Sequence, residues 1–163
     1  MEDTRQESIE KLNGLIKDVK IAMLTTMDGG VLRSRPMQTQ EAEFNGDLWF
    51  FTGTDTHKTE EIEKDNRVNV AYASPSDNTY VSVSGRCEIS KDRAKIEELW
   101  NPILKAWFPE GLDDPNLCLL KVSVEQAEYW DATSSTIIQI AGFVKAFVTG
   151  QQADGGENKK ITL

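Results

Sequence analysis

Two neighbouring segments decide the fold: Val31-Leu-Arg-Ser-Arg-Pro-Met-Gln38 and, after a polar turn, Leu48-Trp-Phe-Phe-Thr-Gly-Thr-Asp-Thr-His-Lys58. Together they gather positive charge and aromatic surface in an otherwise acidic chain. Successive side chains of a strand point to opposite faces. The first segment, as a strand, therefore carries Arg33, Arg35 and Met37 on one face and Ser34, Pro36 and Gln38 on the other.

The second segment predicts a short strand, Leu48 to Gly53, that leads into a helix beginning at His57. The start of a helix offers unpaired N–H groups and the positive end of a dipole, and an arginine adds a forked pair of donors. These features predict a phosphate site. Its expected residues are Arg33 or Arg35, Thr52, His57 and Lys58.

Four ordered motifs resemble one known family. They are Arg33-Ser-Arg-Pro-Met-Gln38, Phe51-Thr52 followed by His57-Lys58, Tyr80-Val-Ser-Val-Ser-Gly-Arg86 and Glu128-Tyr-Trp130. In this order they resemble the FMN-binding signature of the pyridoxamine 5'-phosphate oxidase superfamily, over about residues 20–131. Three further segments are similar to its bacterial general stress protein branch: Leu99-Trp-Asn-Pro102, Ala106-Trp-Phe-Pro-Glu-Gly111 and Glu128-Tyr-Trp-Asp131.

The resemblance implies a fold, a cofactor and a partner. The fold is the FMN-binding split barrel, the cofactor is FMN, and the partner is a second copy of the chain, because the superfamily builds each flavin site from two subunits. The ring is expected against the backbone of residues 35–38 and near two aromatic residues of the partner. The implied cofactor-binding residues are Arg33, Ser34, Arg35, Pro36, Met37, Gln38, Phe51, Thr52, His57, Lys58, Tyr80 and Trp130.

The chain departs from the oxidases of this superfamily at three places. After Trp130 the oxidases continue with an Arg-x-His segment that holds the vitamin substrate, whereas this chain continues Asp-Ala-Thr-Ser-Ser-Thr. Gln38 stands where the oxidases have a substrate-contacting lysine, and Tyr80 stands where they have glutamine. These differences argue against oxidation of pyridoxamine phosphate, and no catalytic residue is assigned.

Three functional hypotheses follow. The first is a flavin-dependent oxidoreductase acting on an unidentified small molecule during stress, in which the flavin supplies the chemistry. The second is a non-catalytic protein that binds or buffers flavin, suggested by the missing substrate-holding segment. The third replaces FMN with another planar cofactor, a deazaflavin or haem, and His57 would be the haem ligand to test. The choice between FMN and FAD stays open.

Composition narrows the class of protein. A chain of 163 residues with 39% hydrophobic and 28% charged residues is typical of one globular domain. It has no apolar run near the roughly 18 residues of a membrane span and no signal-peptide pattern, so we expect a cytoplasmic protein without membrane contact. A net charge of −9 argues against nucleic acid as a partner.

Several other kinds of site are not expected. Cys87 and Cys118 are far apart and lie in apolar strand patterns, so they are predicted to be small buried hydrophobic residues. With a single histidine and no Cys pairing, no metal site is predicted. The sequence also contains no Ser-His-acid or paired-carboxylate pattern that would support hydrolysis.

The chain in order predicts a mainly β fold, a small antiparallel barrel of six strands with flanking helices, in one domain over residues 1–150, and the resemblance implies that the barrel is of the split type. A helix is expected at 3–19, the barrel at 20–131 and a C-terminal helix at 134–149. Asn45-Gly46 predicts a hairpin into the third strand, and Pro102 is expected to kink or divide a helix at 91–106. Residues 151–163 are expected to form a flexible tail, with a docked strand at 160–163 as the alternative. Trp100 and Trp107 are expected in the core or dimer interface, with a lid over the ring as the alternative.

Overall fold

The computed structural model of the chain describes residues 4–132, 148–150 and 157–163. Three α-helices lie in these ranges, α1 at Arg5–Ile16, α2 at His57–Lys64 and α3 at Arg93–Leu99. The strands are β1 Ile21–Asp28, β2 Val31–Gln38, β3 Asp47–Gly53, β4 Arg67–Ser74, β5 Thr79–Ser90, β6 Leu117–Asp131 and β7 Glu157–Thr162. Short 3-10 helices occupy Pro75–Asp77, Pro102–Ala106 and Gly111–Asp113.

The strands form one curled antiparallel sheet, a half-barrel flanked by the three helices. Its order is β2-β1-β4-β5-β6-β3, and β7 pairs with β6. The ends of this order, β2 and β3, contact each other without pairing, so the barrel is split between them. We call this gap the seam. The predicted mainly β split barrel is therefore confirmed, and its six strands are joined by a seventh.

Alternating burial along the strands produces the barrel core. Inward side chains of β1, β4, β5 and β6 are buried, and α1 closes one side with Ile9, Leu12 and Ile16. β3 contributes to two clusters, because Phe50 faces the barrel while Trp49 and Phe51 pack on a second cluster outside it. That second cluster consists of Ile96, Leu104, Phe108, Leu117 and Leu119. This cluster packs α3 and the 3-10 helix Pro102–Ala106 beside the seam. We call this 3-10 helix the 3-10 segment.

Close contact between β5 and β6 explains one glycine. The register shifts between Ser84 and Gly85, and a Cβ atom on Gly85 would overlap the Ser123 carbonyl oxygen. Any larger residue would force the strands apart at this bulge.

Two sequence predictions differ from the structure. The Asn45-Gly46 hairpin prediction is wrong: β3 pairs with β6, not with β2, because residues 39–46 carry the chain across the seam and bury Phe44 on the way. The flexible-tail prediction fails for residues 157–163. There the alternative of a docked strand applies, since β7 pairs with β6 and buries Ile161.

Other predictions agree or fall elsewhere. The helix expected at 91–106 is divided at Pro102 into α3 and a 3-10 segment, as the missing proline amide requires. Both cysteines are free and buried, as predicted, and burial raises the pKa of the Cys87 thiol to about 12 and that of Cys118 to about 11. Residues 134–147 of the predicted C-terminal helix lie outside the described residues, as do residues 151–156 of the tail.

Candidate functional site

A cleft of about 500 Å³ lies at the seam, between the end of β2 on one side and β3 with the start of α2 on the other. The 3-10 segment and the residues after it add an apolar wall of Leu104, Trp107 and Phe108. We call this space the seam cleft. The predicted site residues that line it are Pro36, Met37, Gln38, Phe51, Thr52 and Lys58.

Local hydrogen bonds fix the turn between β3 and α2. Thr56 caps α2 by accepting from the Thr59 amide at 3.4 Å, and the Thr59 hydroxyl donates to the Gly53 carbonyl at 2.9 Å. The Asn116 side-chain oxygen accepts from the Thr54 amide at 2.8 Å. These bonds hold the first turn of α2 rigidly at the wall of the seam cleft.

Thr52 is the unusual residue of this wall. It is 4% exposed, and its hydroxyl is the buried side-chain polar atom that lacks a hydrogen-bond partner among the described residues. A buried hydroxyl without a partner costs about 1 to 3 kcal/mol. A ligand atom in the seam cleft would satisfy it.

Lys58 is the second polar group of the cleft wall. Its side chain is half-buried at the start of α2, and within the described ranges no carboxylate forms an ion pair with its ammonium. Burial lowers the pKa of Lys58, and the positive charge of Arg35 lowers it further. A half-buried cation on the same wall as a hydroxyl that lacks a partner among the described residues fits an anion.

The two predicted arginines, in contrast, already have carboxylate partners. Glu61 of α2 is 6% exposed and accepts from Arg35 at 3.0 Å and from the Thr26 hydroxyl at 2.5 Å. Arg33 bonds to Asp28 at 3.0 Å, which raises the Arg33 pKa, and lies 3.9 Å from Glu61. Both guanidinium groups share a strand face, as predicted, but neither residue lines the seam cleft.

His57 and Ser34 also lie outside the lining. The His57 side chain is 93% exposed, and its Nδ1 atom is 3.8 Å from a Glu60 carboxylate oxygen. The Ser34 hydroxyl lies on the outer face of β2 and shares a 2.5 Å hydrogen bond with Thr25.

Tyr80 and Trp130 stand opposite each other on the outer face of the half-barrel. Each is 42% exposed, and the same face exposes Ile21 and Met23 of β1. Pro36 lies opposite Met23, and both Pro36 and Ile21 line the seam cleft. The cleft therefore opens beside an exposed apolar face.

Sequence reasoning missed several residues of this region. Gln40 and Asn116 lie in segments without regular periodicity, and the apolar stripe of the predicted helix does not show that Leu104 faces the cleft. Glu61 was missed because a glutamate in a short helix normally faces water. Of the two tryptophans considered as a lid, Trp107 lines the seam cleft, while Trp100 packs edge-to-face on Phe51 at 6.1 Å.

Among the described residues, no group of three or more His, Cys, Asp or Glu side chains is placed to hold a metal ion. None of the helices within the described ranges combines the length and apolar character that a membrane crossing requires.

Comparisons with known proteins give consistent results. The family model described as Pyridoxamine 5'-phosphate oxidase like matches residues 7–154. General stress protein 26 of Bacillus subtilis is 28% identical over 141 residues, which cover 83% of this chain and 97% of that protein.

Two solved structures extend these matches. A candidate general stress protein 26 from Jannaschia sp. CCS1 superposes with a TM-score of 0.80 at 25% identity, covering 97% of this chain and 99% of the other. A general stress FMN/FAD binding protein from Xanthomonas citri has a TM-score of 0.68 at 34% identity, covering 80% of this chain and 92% of the other.

Proposed function

The chain belongs to the pyridoxamine 5'-phosphate oxidase like family, and from this membership and the seam cleft we propose that it binds FMN and acts as a flavin-dependent oxidoreductase on a small molecule. The general stress protein relatives support the branch, and the FMN/FAD binding described for the Xanthomonas citri protein supports a flavin. When bound, the flavin would supply hydride or electron transfer. The protein's own residues would bind and orient it.

The observation that carries this proposal is the pair formed by Thr52 and Lys58. Within the part of the chain that the structure describes, a buried hydroxyl without a partner and a half-buried ammonium without an ion pair line the same wall. A phosphate would accept from both, and charge-assisted bonds contribute about 1.5 to 3 kcal/mol each. Thr52 and Lys58 therefore hold the phosphate in this proposal, with Arg33, Arg35 and His57 further away.

The rest of the cleft fits a planar ring. β2 is an edge strand, so the backbone groups on its free edge face the seam, where Pro36 contributes a carbonyl but no N–H. Met37 and Trp107 add apolar surface on either side. The amide of Gln38 adds a side-chain donor where the ring would end.

A homodimer is part of the proposal. The outer face exposes Ile21, Met23, Tyr80 and Trp130, and its edge continues into the cleft lining. Exposed apolar faces of this kind mark interfaces. A second copy docked there would bring its Tyr80 and Trp130 toward the flavin. A cytoplasmic location is also proposed, supported by the two free thiols.

A non-catalytic flavin-binding protein is the second candidate. It is favoured by the absence of an Arg-x-His segment after Trp130 and by Gln38 in place of a lysine. The haem alternative has less support, because His57 points into solvent and does not line the cleft.

The test is an absorbance spectrum of freshly purified protein, followed by heat release of the chromophore and mass identification. FMN in the supernatant supports the proposal. A colourless protein that also fails to bind added FMN would refute it. Turnover with NADH or NADPH and a panel of acceptors, compared with free FMN, then separates the enzyme from the flavin carrier. Thr52→Val is the matched control, because it should bind FMN more weakly. Turnover by the bound flavin should fall in this variant, whereas turnover by free FMN should not change.

A further inference from the structure

A second cavity of about 410 Å³ lies directly beside the seam cleft. One wall is the segment that follows β2, residues 38–41, and the other runs from the end of α3 to Leu104. Gln38, Gln40 and Leu104 line both spaces, so the two are adjacent. Its size lies within the range of small-molecule pockets. We call it the side cavity.

The charged side chains on the side cavity wall are all paired. Lys20 lies 3.5 Å from Glu41, and Glu98 lies 3.1 Å from Lys95. Among the described lining residues, therefore, none offers a cation without a partner, in contrast to Lys58 in the seam cleft. Acidic side chains outnumber Lys20 on this wall, so an anion entering the side cavity gains little from opposite charge.

The remaining lining offers hydrogen bonds and an aromatic surface. Gln38, Gln40 and Asn101 carry amides, and the Asn101 oxygen already accepts from the Ile103 amide at 3.1 Å, which leaves its NH₂ group as a donor. The Trp100 ring lines the cavity and contacts Phe51, which lines the seam cleft. Amide donors fit a carbonyl oxygen, and an indole fits a flat ring.

We propose that the side cavity binds an uncharged planar ring compound that carries a carbonyl group, beside the ligand of the seam cleft. Binding itself follows from the lining of the side cavity. The identification of this compound as the reaction partner of the flavin rests on the proposed function. The class includes quinones and dihydronicotinamides, of which nicotinamide is an unreactive analogue, and it excludes rings that themselves carry a phosphate or a carboxylate.

Nuclear magnetic resonance of the full chain labelled with ¹⁵N tests this inference. Each of the 4 tryptophans gives one indole N–H signal, and Trp100→Phe and Trp107→Phe variants assign two of them. The probes are nicotinamide and its anionic counterpart nicotinate, added at millimolar concentrations. We expect nicotinamide to shift the Trp100 signal saturably, with at least about tenfold weaker binding of nicotinate. Equal binding of both probes, or no saturable shift of Trp100, would overturn the inference.

A gain of function sharpens the test. Gln38→Lys places a cation at the boundary of the side cavity, and nicotinate affinity should then rise by about tenfold or more. Gln126→Lys adds the same charge on the outer face of β6 and should leave both affinities unchanged. If the two variants behave alike, the neutral character of the cavity does not select its ligand.

A parallel titration with FMN separates the two proposals. FMN should shift the Trp107 signal, because Trp107 lines the seam cleft. If FMN leaves Trp107 unchanged while nicotinamide still shifts Trp100, the proposed function fails and the side cavity stands. The reverse pattern rejects the side cavity alone.

Discussion

Two basic regions lie beside helix α2, and they differ in whether their charges are balanced by carboxylates. The arginine region consists of Arg33 and Arg35 of β2 with Glu61 of α2, and the Lys58 region consists of Lys58 with Thr52. Glu61 binds Arg35 directly and lies near Arg33, so the arginine charges are balanced inside the protein. Lys58, about one turn earlier, is half-buried without an ion pair among the described residues and shares its wall with the unpaired Thr52 hydroxyl. The proposed function therefore gives the arginine region a role in stability and the Lys58 region the role of holding the ligand. A cluster of basic residues in a sequence does not reveal which of its charges are already balanced.

Breaking the arginine region gives the largest expected effect. Glu61→Ala removes a buried carboxylate and leaves Arg35 and the Thr26 hydroxyl without their acceptor. Loss of one partner of a buried pair typically costs about 3 to 5 kcal/mol, and the partial exposure of Arg35 reduces this to roughly 2 to 4 kcal/mol. Denaturant unfolding monitored by circular dichroism measures the change. Glu60→Ala, at an exposed position of the same helix, is the control and should stay within about 0.5 kcal/mol.

Removing both charges of the arginine region together sharpens the comparison. The double variant Arg35→Met with Glu61→Gln keeps the local net charge and side-chain volume. FMN affinity should remain within about threefold of the unchanged protein, because this pair does not supply the phosphate's counter-charge. Fluorescence titration of FMN gives the value. A loss of a hundredfold would show that Arg35 binds the phosphate directly.

Thr52→Val should change stability and binding in opposite directions. Valine has nearly the same shape and removes the unpaired hydroxyl, so the ligand-free protein gains about 1 kcal/mol. FMN loses a hydrogen bond and binds about tenfold more weakly. Thermal unfolding with and without FMN measures both effects. A lower melting temperature of the ligand-free variant would mean that the Thr52 hydroxyl has a hydrogen-bond partner in the folded protein.

The pH dependence of FMN binding gives the smallest effect. Burial lowers the pKa of Lys58, so its ammonium loses the proton at a lower pH than an exposed lysine does. FMN affinity should fall as pH rises through that pKa. The stability of the ligand-free protein moves the other way, because between the folded and unfolded pKa values only the unfolded chain holds the proton, and stability there rises with pH. Titrations from neutral pH to near pH 10 check both slopes, and a Lys58→Met variant should show neither.

Much of the architecture was accessible from sequence because it depends on local pattern. Apolar runs, alternating polar and apolar residues, and turn residues indicated all six barrel strands. Pro102 indicated the division of the helix, because proline lacks the amide that a helix requires. The hairpin at Asn45-Gly46 was wrong because a turn signal reports local geometry and not which strand becomes the partner. β7 was only an alternative, since a single buried Ile161 gives a short strand little periodicity.

The site was less accessible, because it depends on contacts between distant segments. The wall formed by Thr52 and Lys58 was predicted, since both lie at one strand-to-helix junction. The pairing of Arg35 with Glu61 was not, because 26 positions separate the two residues. Trp107 and Asn116 reach the cleft through a loop whose course no sequence period describes.

The central claim is that Lys58, and not the arginine region, holds the phosphate of FMN. The most direct measurement is the ratio of riboflavin to FMN dissociation constants for the unchanged protein and for Lys58→Met, since riboflavin lacks only the phosphate. We predict at least about tenfold tighter binding of FMN to the unchanged protein and a ratio near one in Lys58→Met. A ratio that is the same in both proteins would contradict the claim.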